Sequence, residues 1–169
     1  MNRLLVVIFS DSSKAFEGRD ALERLDREDL LTLDAYAIIH RQSDGTCAVR
    51  QERDLRGFTT LARSSLGSLI GLLGGPGGLP TCSLSGFTME LDNACVSSDF
   101  VDEVSRGLTL GNSALIAEIE EEETRCVDLW MQKLGGAIHR CSLDVKHVTD
   151  STKMHLPPSI FSFLGSPNA

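Results

Sequence analysis

The chain has 169 residues, which is enough for one domain with a hydrophobic core and too few for two comfortable domains. Its hydrophobic content of 41% is typical of a soluble globular protein, and its formal net charge of -8 argues against a nucleic-acid partner, because phosphates require a basic surface. The five cysteines are an odd number and form no Cys-x-x-Cys pair, so we expect reduced thiols and no disulfide framework.

The chain begins with a strand and a helix. Residues 4–9 are continuously apolar, which predicts a strand buried on both faces. Because Ser10 and Asp11 end this run early and no small-residue cleavage site follows, we expect no secretory signal and a cytoplasmic location. A side chain among residues 11–13 can cap the following helix. Its expected inward positions are Ala15, Gly18, Leu22 and Leu25.

The next two strands form a hairpin. The apolar residues 35–40 predict the second strand, and an Asp-Gly turn at residues 43–46 leads back into residues 47–50. We expect this return strand at an edge of the sheet. The charged residues 51–56 end the first half of the chain.

An uncharged stretch, residues 64–89, separates the two halves, although 24% of the whole chain is charged. Gly67, Gly71 and Gly75 recur every four residues, so a helix through residues 66–74 would carry a glycine groove that another backbone can approach. We predict an association surface formed by Gly67, Leu69, Ile70, Gly71, Leu73 and Gly75. Since many glycines raise the chain entropy, we expect the insertion to contribute little to the core.

The second half repeats the order of strand, helix and strand. A short helix capped by Ser97 or Ser98 precedes a strand at residues 113–119. A helix over residues 121–133 follows, and Gly135 and Gly136 turn the chain into a last strand at residues 137–143. Because the same order occurs at residues 4–40, we predict an α+β fold, a ferredoxin-like split βαβ sandwich with an extra hairpin strand and a glycine-rich insertion.

These elements predict one ferredoxin-like domain and a tail. The domain covers residues 1–145 and is interrupted by the glycine-rich insertion at residues 57–92. Residues 146–169 form the C-terminal tail, which is either a loosely ordered end or an arm docked on a neighbour.

In this order, the segments resemble the bacterial family known as domain of unknown function 1269. The similar segments are residues 4–11, 67–78, 99–103, 110–115 and 135–138. None of these motifs is catalytic, so the resemblance implies a fold and carries over no site residue. Members of the family are often described as membrane proteins because of the glycine-rich segment. Here Pro76 and Pro80 interrupt that segment, and its apolar run is shorter than the roughly 20 residues of a membrane-spanning helix.

Two sets of polar residues are candidates for a metal site. Residues 120–123 are four glutamates, which we interpret as complementing the positive end of the helix that begins there, with Glu118 facing outward from its strand. His139 and Cys141 share a strand face, and His40 holds the corresponding place in the first half, but no ligand spacing of the zinc-finger kind supports zinc. We predict no metal and no cofactor.

The sequence also carries no nucleophile elbow and no cysteine-protease signature, so we predict no catalytic residue. Phe100 and Trp130 are expected core anchors. The residues available for the buried side of the helix after the second-half strand are Cys126, Val127, Leu129, Trp130 and Leu134.

From these observations we expect a non-enzymatic structural or interaction protein that forms a homo-oligomer through its insertion. A protein or a membrane-associated component is a further expected partner. One alternative is a small-ligand-binding regulatory module at a subunit interface, an analogy at the level of the fold. Another is a membrane-associated protein that uses the insertion as a hairpin.

Overall fold

The computed structural model describes residues 2–54, 65–74 and 96–143. Its strands are β1 (Asn2–Phe9), β2 (Thr32–Arg41), β3 (Cys47–Asp54), β4 (Ser113–Glu120) and β5 (Ala137–Ser142). Its helices are α1 (Ser12–Arg27), α2 (Ser65–Gly74), α3 (Ser98–Gly107) and α4 (Arg125–Lys133). The predicted α+β class is confirmed. Most of the predicted insertion and the tail at residues 146–169 lie outside the described residues.

The strands form one antiparallel sheet in the order β3-β2-β4-β1-β5. β4 lies between β1 and β2, so that Val6 and Ala37 both pair with Ile116. β1 and β2 therefore run parallel to each other without touching. β1 separates β4 and β5 in the same way. β3 pairs with β2 at the edge of this sheet, where the sequence predicts the hairpin strand.

The helix α1 begins and packs as its sequence predicts. The carboxylate of Asp11 accepts a hydrogen bond of 2.9 Å from the backbone N–H of Ser13, which satisfies one of the free donors at the helix start. Together with α4, α1 covers the face of the sheet that carries Phe9, Tyr36 and Leu115. Its buried positions are Ala15, Gly18, Ala21, Leu22 and Leu25.

The turn between α4 and β5 requires its two glycines for different reasons. Gly135 has a φ of +76°, in the left-handed region that side chains rarely adopt. At Gly136 a Cβ atom would lie 2.4 Å from Cγ1 of Val7 and 2.7 Å from Cε1 of Phe9. The backbone therefore approaches the central strand β1 more closely than any side chain would allow.

The second face of the sheet is also covered, by α2 and α3. Ser97 caps α3 as predicted, since its Oγ accepts a hydrogen bond of 3.3 Å from the N–H of Phe100. Phe100 is buried on this face, and so are four residues of α2. Helices thus lie on both sides of the sheet, in three layers. The prediction that the insertion contributes little to the core is wrong for α2.

Three further predictions need correction near the ends of elements. β3 continues to Asp54, through charged residues that the sequence places beyond the strand. α4 begins at Arg125 and not at Glu121, so the four glutamates precede it. On α4, Leu129 is 69% exposed, and Trp130 is only half-buried. The cationic groups of Arg24 and Lys133 lie 5.5 and 5.4 Å from the Trp130 ring, which explains why an aromatic ring is stable there.

Candidate functional site

The predicted association surface lies on α2, and its residues divide into two groups. Leu69, Ile70 and Leu73 are buried against the sheet of the same chain, with exposures of 0 to 4%. Together with Leu66 they form a stripe at helical spacing, which is how a helix packs one face on a core. Gly67 and Gly71 lie beside this stripe and are partly exposed. Gly75 lies outside the described residues.

A buried carboxylate holds the beginning of α2. Glu118 on β4 is 5% exposed, and its Oε1 accepts a hydrogen bond of 3.0 Å from the backbone N–H of Leu66. The first N–H groups of a helix lack partners within the helix, and its N-terminus favours negative charge. The prediction that Glu118 faces outward is wrong. Glu118 shares a strand face with Ala114 and Ile116, and α2 and α3 cover that face.

A buried thiol holds the other end of α2. The Sγ of Cys47 on β3 lies 3.3 Å from the carbonyl oxygen of Leu73 and donates its hydrogen to it. Burial raises the pKa of the Cys47 thiol, an effect that the nearby charge of Arg41 partly opposes. The thiol therefore stays protonated and remains a donor. Both ends of α2 are fixed to the sheet by side chains that the sequence analysis does not select.

Glu121 forms a buried ionic cluster at the opposite edge of the sheet. Its Oε1 accepts hydrogen bonds of 3.1 Å from Arg3 and 2.8 Å from Arg140, and the residue is 1% exposed. Arg140 also lies 2.6 Å from Asp128, at an angle that forms no hydrogen bond. The second oxygen of Glu121 has no hydrogen-bond partner among the described residues. This cluster joins β1, α4 and β5, and its burial points to a structural role.

The other glutamates of the predicted cluster line an open cavity of about 430 Å³ beside the end of α1. Among its lining residues are Asp29, Glu120, Glu122 and Glu123. Within the described ranges, however, no group of three or more histidine, cysteine or carboxylate side chains is arranged to hold a metal ion.

The two strand histidines lie on opposite faces of the sheet. His139 pairs with Val6, on the face of α2 and α3, and its Nδ1 is 2.8 Å from the carboxylate of Glu103. His40 pairs with Ser113, which also pairs with Phe9, so His40 lies on the face of α1 and α4. Its Nδ1 is 3.0 Å from the hydroxyl of Ser113. The sheet thus separates them, and they cannot share one ion.

His40 lines a second cavity, of about 530 Å³, at the end of β2. Its lining residues are His40, Gln42, Ser43, Arg50, Leu110 and Gly111. Arg50 stands in a β-bulge, because Ile38 pairs with Gln51 whereas Ile39 pairs with Val49. A bulge redirects the side chain of the extra residue. The sequence analysis misses this site, since its residues come from a hairpin and from a distant loop.

No known protein family, no curated protein and no solved structure matches this chain. The family resemblance described above therefore stays a prediction. Among the described helices, none is both long enough and apolar enough to cross a bilayer.

Proposed function

We propose that the protein is a non-enzymatic structural or interaction protein whose copies associate through the glycine-bearing side of α2. The observation that carries this proposal is the division of α2 into a buried stripe and a partly exposed side with Gly67 and Gly71. These glycines are one turn apart and leave space for the backbone of a second helix. The partner is a second copy of the chain.

The fixed position of α2 supports this proposal. Glu118 and Cys47 hold the two ends of the helix, and its apolar stripe packs on the sheet. A surface held in this way loses little conformational entropy when it binds. Two copies can then meet through the same residues about a twofold axis, which is the commonest symmetry of homo-oligomers.

The distribution of charge favours the same surface. With a formal net charge of -8, two copies repel each other over most of their surface. α2 carries no charged residue, and the stretch around it at residues 64–89 carries none either. In a contact between two copies, α2 itself therefore adds no like charges.

For the fold we propose the ferredoxin-like split βαβ sandwich. The order β5-β1-β4-β2, with α1 and α4 as crossovers on one face, supports it. β3 is then the extra hairpin strand, and α2 and α3 cover the face that a two-layer sandwich leaves open.

The experiment is to compare the native mass of the wild-type protein with that of Gly71→Leu by light scattering. Gly71 lies outside the buried stripe, so the variant should keep its fold and melting temperature. In the associated form the new leucine side chain overpacks the contact between the two copies of α2. Overpacking typically costs about 1 to 3 kcal/mol for each side chain inserted. We expect the mass to fall.

The matched control is Gln132→Leu, which adds the same side chain at an exposed position of α4. It should leave the mass unchanged. If Gly71→Leu and Gln132→Leu both keep the wild-type mass, copies do not meet through this side of α2.

A further inference from the structure

The cavity of about 530 Å³ at the end of β2 is lined by basic and neutral residues in an acidic protein. His40 and Arg50 line it, and Arg41 follows His40 on the same strand. No acidic residue appears among the described residues that line it. The nearest acidic side chain in the turn, Asp44, is directed to Thr46, from which it accepts hydrogen bonds of 2.9 and 2.7 Å. The guanidinium of Arg50 is therefore available to bind a ligand.

The walls of the cavity are held in place by hydrogen bonds. On one side, Gln42 donates its backbone N–H to the carbonyl of Thr46 across the hairpin turn, at 2.8 Å. On the other, Gly111 donates to the carbonyl of Arg41 at 2.8 Å, which ties the loop before β4 to the end of β2. The side chain of Arg41 adds a bond of 3.1 Å to the carbonyl of Leu108. The cavity thus exists before any ligand enters.

The ring of His40 is oriented by a buried partner. Its Nδ1 lies 3.0 Å from the hydroxyl of Ser113, which is fully buried. When that hydroxyl donates to Nδ1, the neutral ring carries its hydrogen on Nε2, and the protonated ring carries one there as well. Nε2 has no hydrogen-bond partner among the described residues. In these two states Nε2 can therefore donate to a ligand.

Arg50 supplies a charged donor. It is exposed on the bulge of the edge strand and forms no ion pair with any residue in the described part of the chain. Guanidinium groups bind phosphate through two parallel hydrogen bonds. Gln42 and Ser43 also line the cavity, and their side chains contain neutral hydrogen-bond donors. Donors from four residues fit the three terminal oxygens of a phosphate better than the two of a carboxylate.

We propose that this cavity binds a small molecule that carries a phosphate group, with the guanidinium of Arg50 as its charged contact and the ring of His40 as a further hydrogen-bonding contact. Leu110, which also lines the cavity, is 59% exposed and would contact an apolar part of the same ligand. The cavity is open to solvent, and its volume exceeds what a bare phosphate ion fills. Because the lining residues do not include α2, this binding and the proposed self-association can succeed or fail separately.

The test is an NMR titration of the backbone amides with phenyl phosphate, with inorganic phosphate and with benzoate at matched ionic strength. Phenyl phosphate should produce saturable shifts of the amides of Ser43 and Gly111. Arg50→Gln should weaken its binding by at least about tenfold, since a hydrogen bond to a charged group is lost. Leu110→Ser should weaken the binding of phenyl phosphate more than that of inorganic phosphate.

The control is Arg53→Gln, which removes an exposed arginine of the same strand that does not line the cavity. It should bind phenyl phosphate as the wild type does. Three results would overturn the proposal: no saturable shift at millimolar ligand, equal affinity of wild type and Arg50→Gln, or benzoate binding as tightly as phenyl phosphate. Circular dichroism of each variant shows whether the fold is retained.

Discussion

Glu118 in the middle layer of the protein accepts a hydrogen bond of 3.0 Å from the backbone N–H of Leu66, the second residue of α2. The two residues are 52 positions apart in the sequence. Through this contact the carboxylate of Glu118 on β4 holds α2, a helix that has no charged residue. The glycine-rich segment is thereby part of the folded core at α2, and only one side of this helix remains for other contacts.

The first prediction tests whether α2 belongs to the core. Leu69→Ala removes a side chain that is fully buried between α2 and the sheet, and such a change typically costs about 2 to 5 kcal/mol. The same change at Leu129, which is 69% exposed, should cost little. Urea unfolding measures both free energies. Equal stabilities of the two variants would show that α2 does not pack on the sheet.

The second prediction concerns the cap of α2. Glu118→Ala removes a charged acceptor, and the free energy of unfolding should fall by about 1.5 to 3 kcal/mol. Glu118→Gln keeps an acceptor without the charge and should lose less. Glu123→Ala, at an exposed position after the same strand, serves as the control and should stay close to wild type. A Glu118→Ala variant as stable as Glu123→Ala would refute the cap.

The third prediction compares two neighbouring glutamates. Glu121→Ala leaves Arg3 and Arg140 partly buried without their shared carboxylate, and breaking a buried ion pair in this way typically costs about 3 to 5 kcal/mol. Glu122 is exposed, and Glu122→Ala should change stability little. Thermal unfolding distinguishes the variants. A similar melting temperature for both would mean that the ionic cluster adds nothing to stability.

The fourth prediction is a pH dependence that comes from Cys47. Its folded pKa is raised by burial above the ordinary value of 9.0, so the unfolded chain loses the proton first. The contribution of the thiol to stability is therefore complete below pH 9 and is lost as the pH rises above it. The difference in unfolding free energy between wild type and Cys47→Ala should shrink from pH 8 to pH 10. A constant difference would contradict the raised pKa.

Local signals in the sequence were sufficient for most elements of the fold. The continuous apolar run of β1 and the left-handed turn at Gly135 act through nearby residues, and both lie where the sequence predicts them. Asp11, which caps α1, is one of the three residues that the sequence offers for this cap. The four-residue spacing of the glycines also indicates a helix over residues 66–74, where α2 lies. The spacing does not predict which surface the apolar stripe of α2 covers, because that surface is formed by strands far away in the sequence.

The polar sites depended more strongly on such distant contacts. The sequence analysis places Glu118 at an outward position of its strand, whereas helices cover both faces of β4. Glu121 is one of four consecutive glutamates, and the other three are exposed. Nothing in the neighbouring sequence indicates its hydrogen bond with Arg3, which lies 118 positions earlier. The cavity lined by His40 and Arg50 lies between the bulge of the β2–β3 hairpin and the loop before β4, so no local sequence motif predicts it.

The measurement that tests the proposed self-association most directly is the mass of the purified wild-type protein by sedimentation equilibrium over a range of concentrations. One chain has a mass of 18.3 kDa. Association through α2 predicts a mass that rises with concentration to a whole multiple of this value, since bimolecular assembly follows mass action. A mass of 18.3 kDa at every concentration would contradict it.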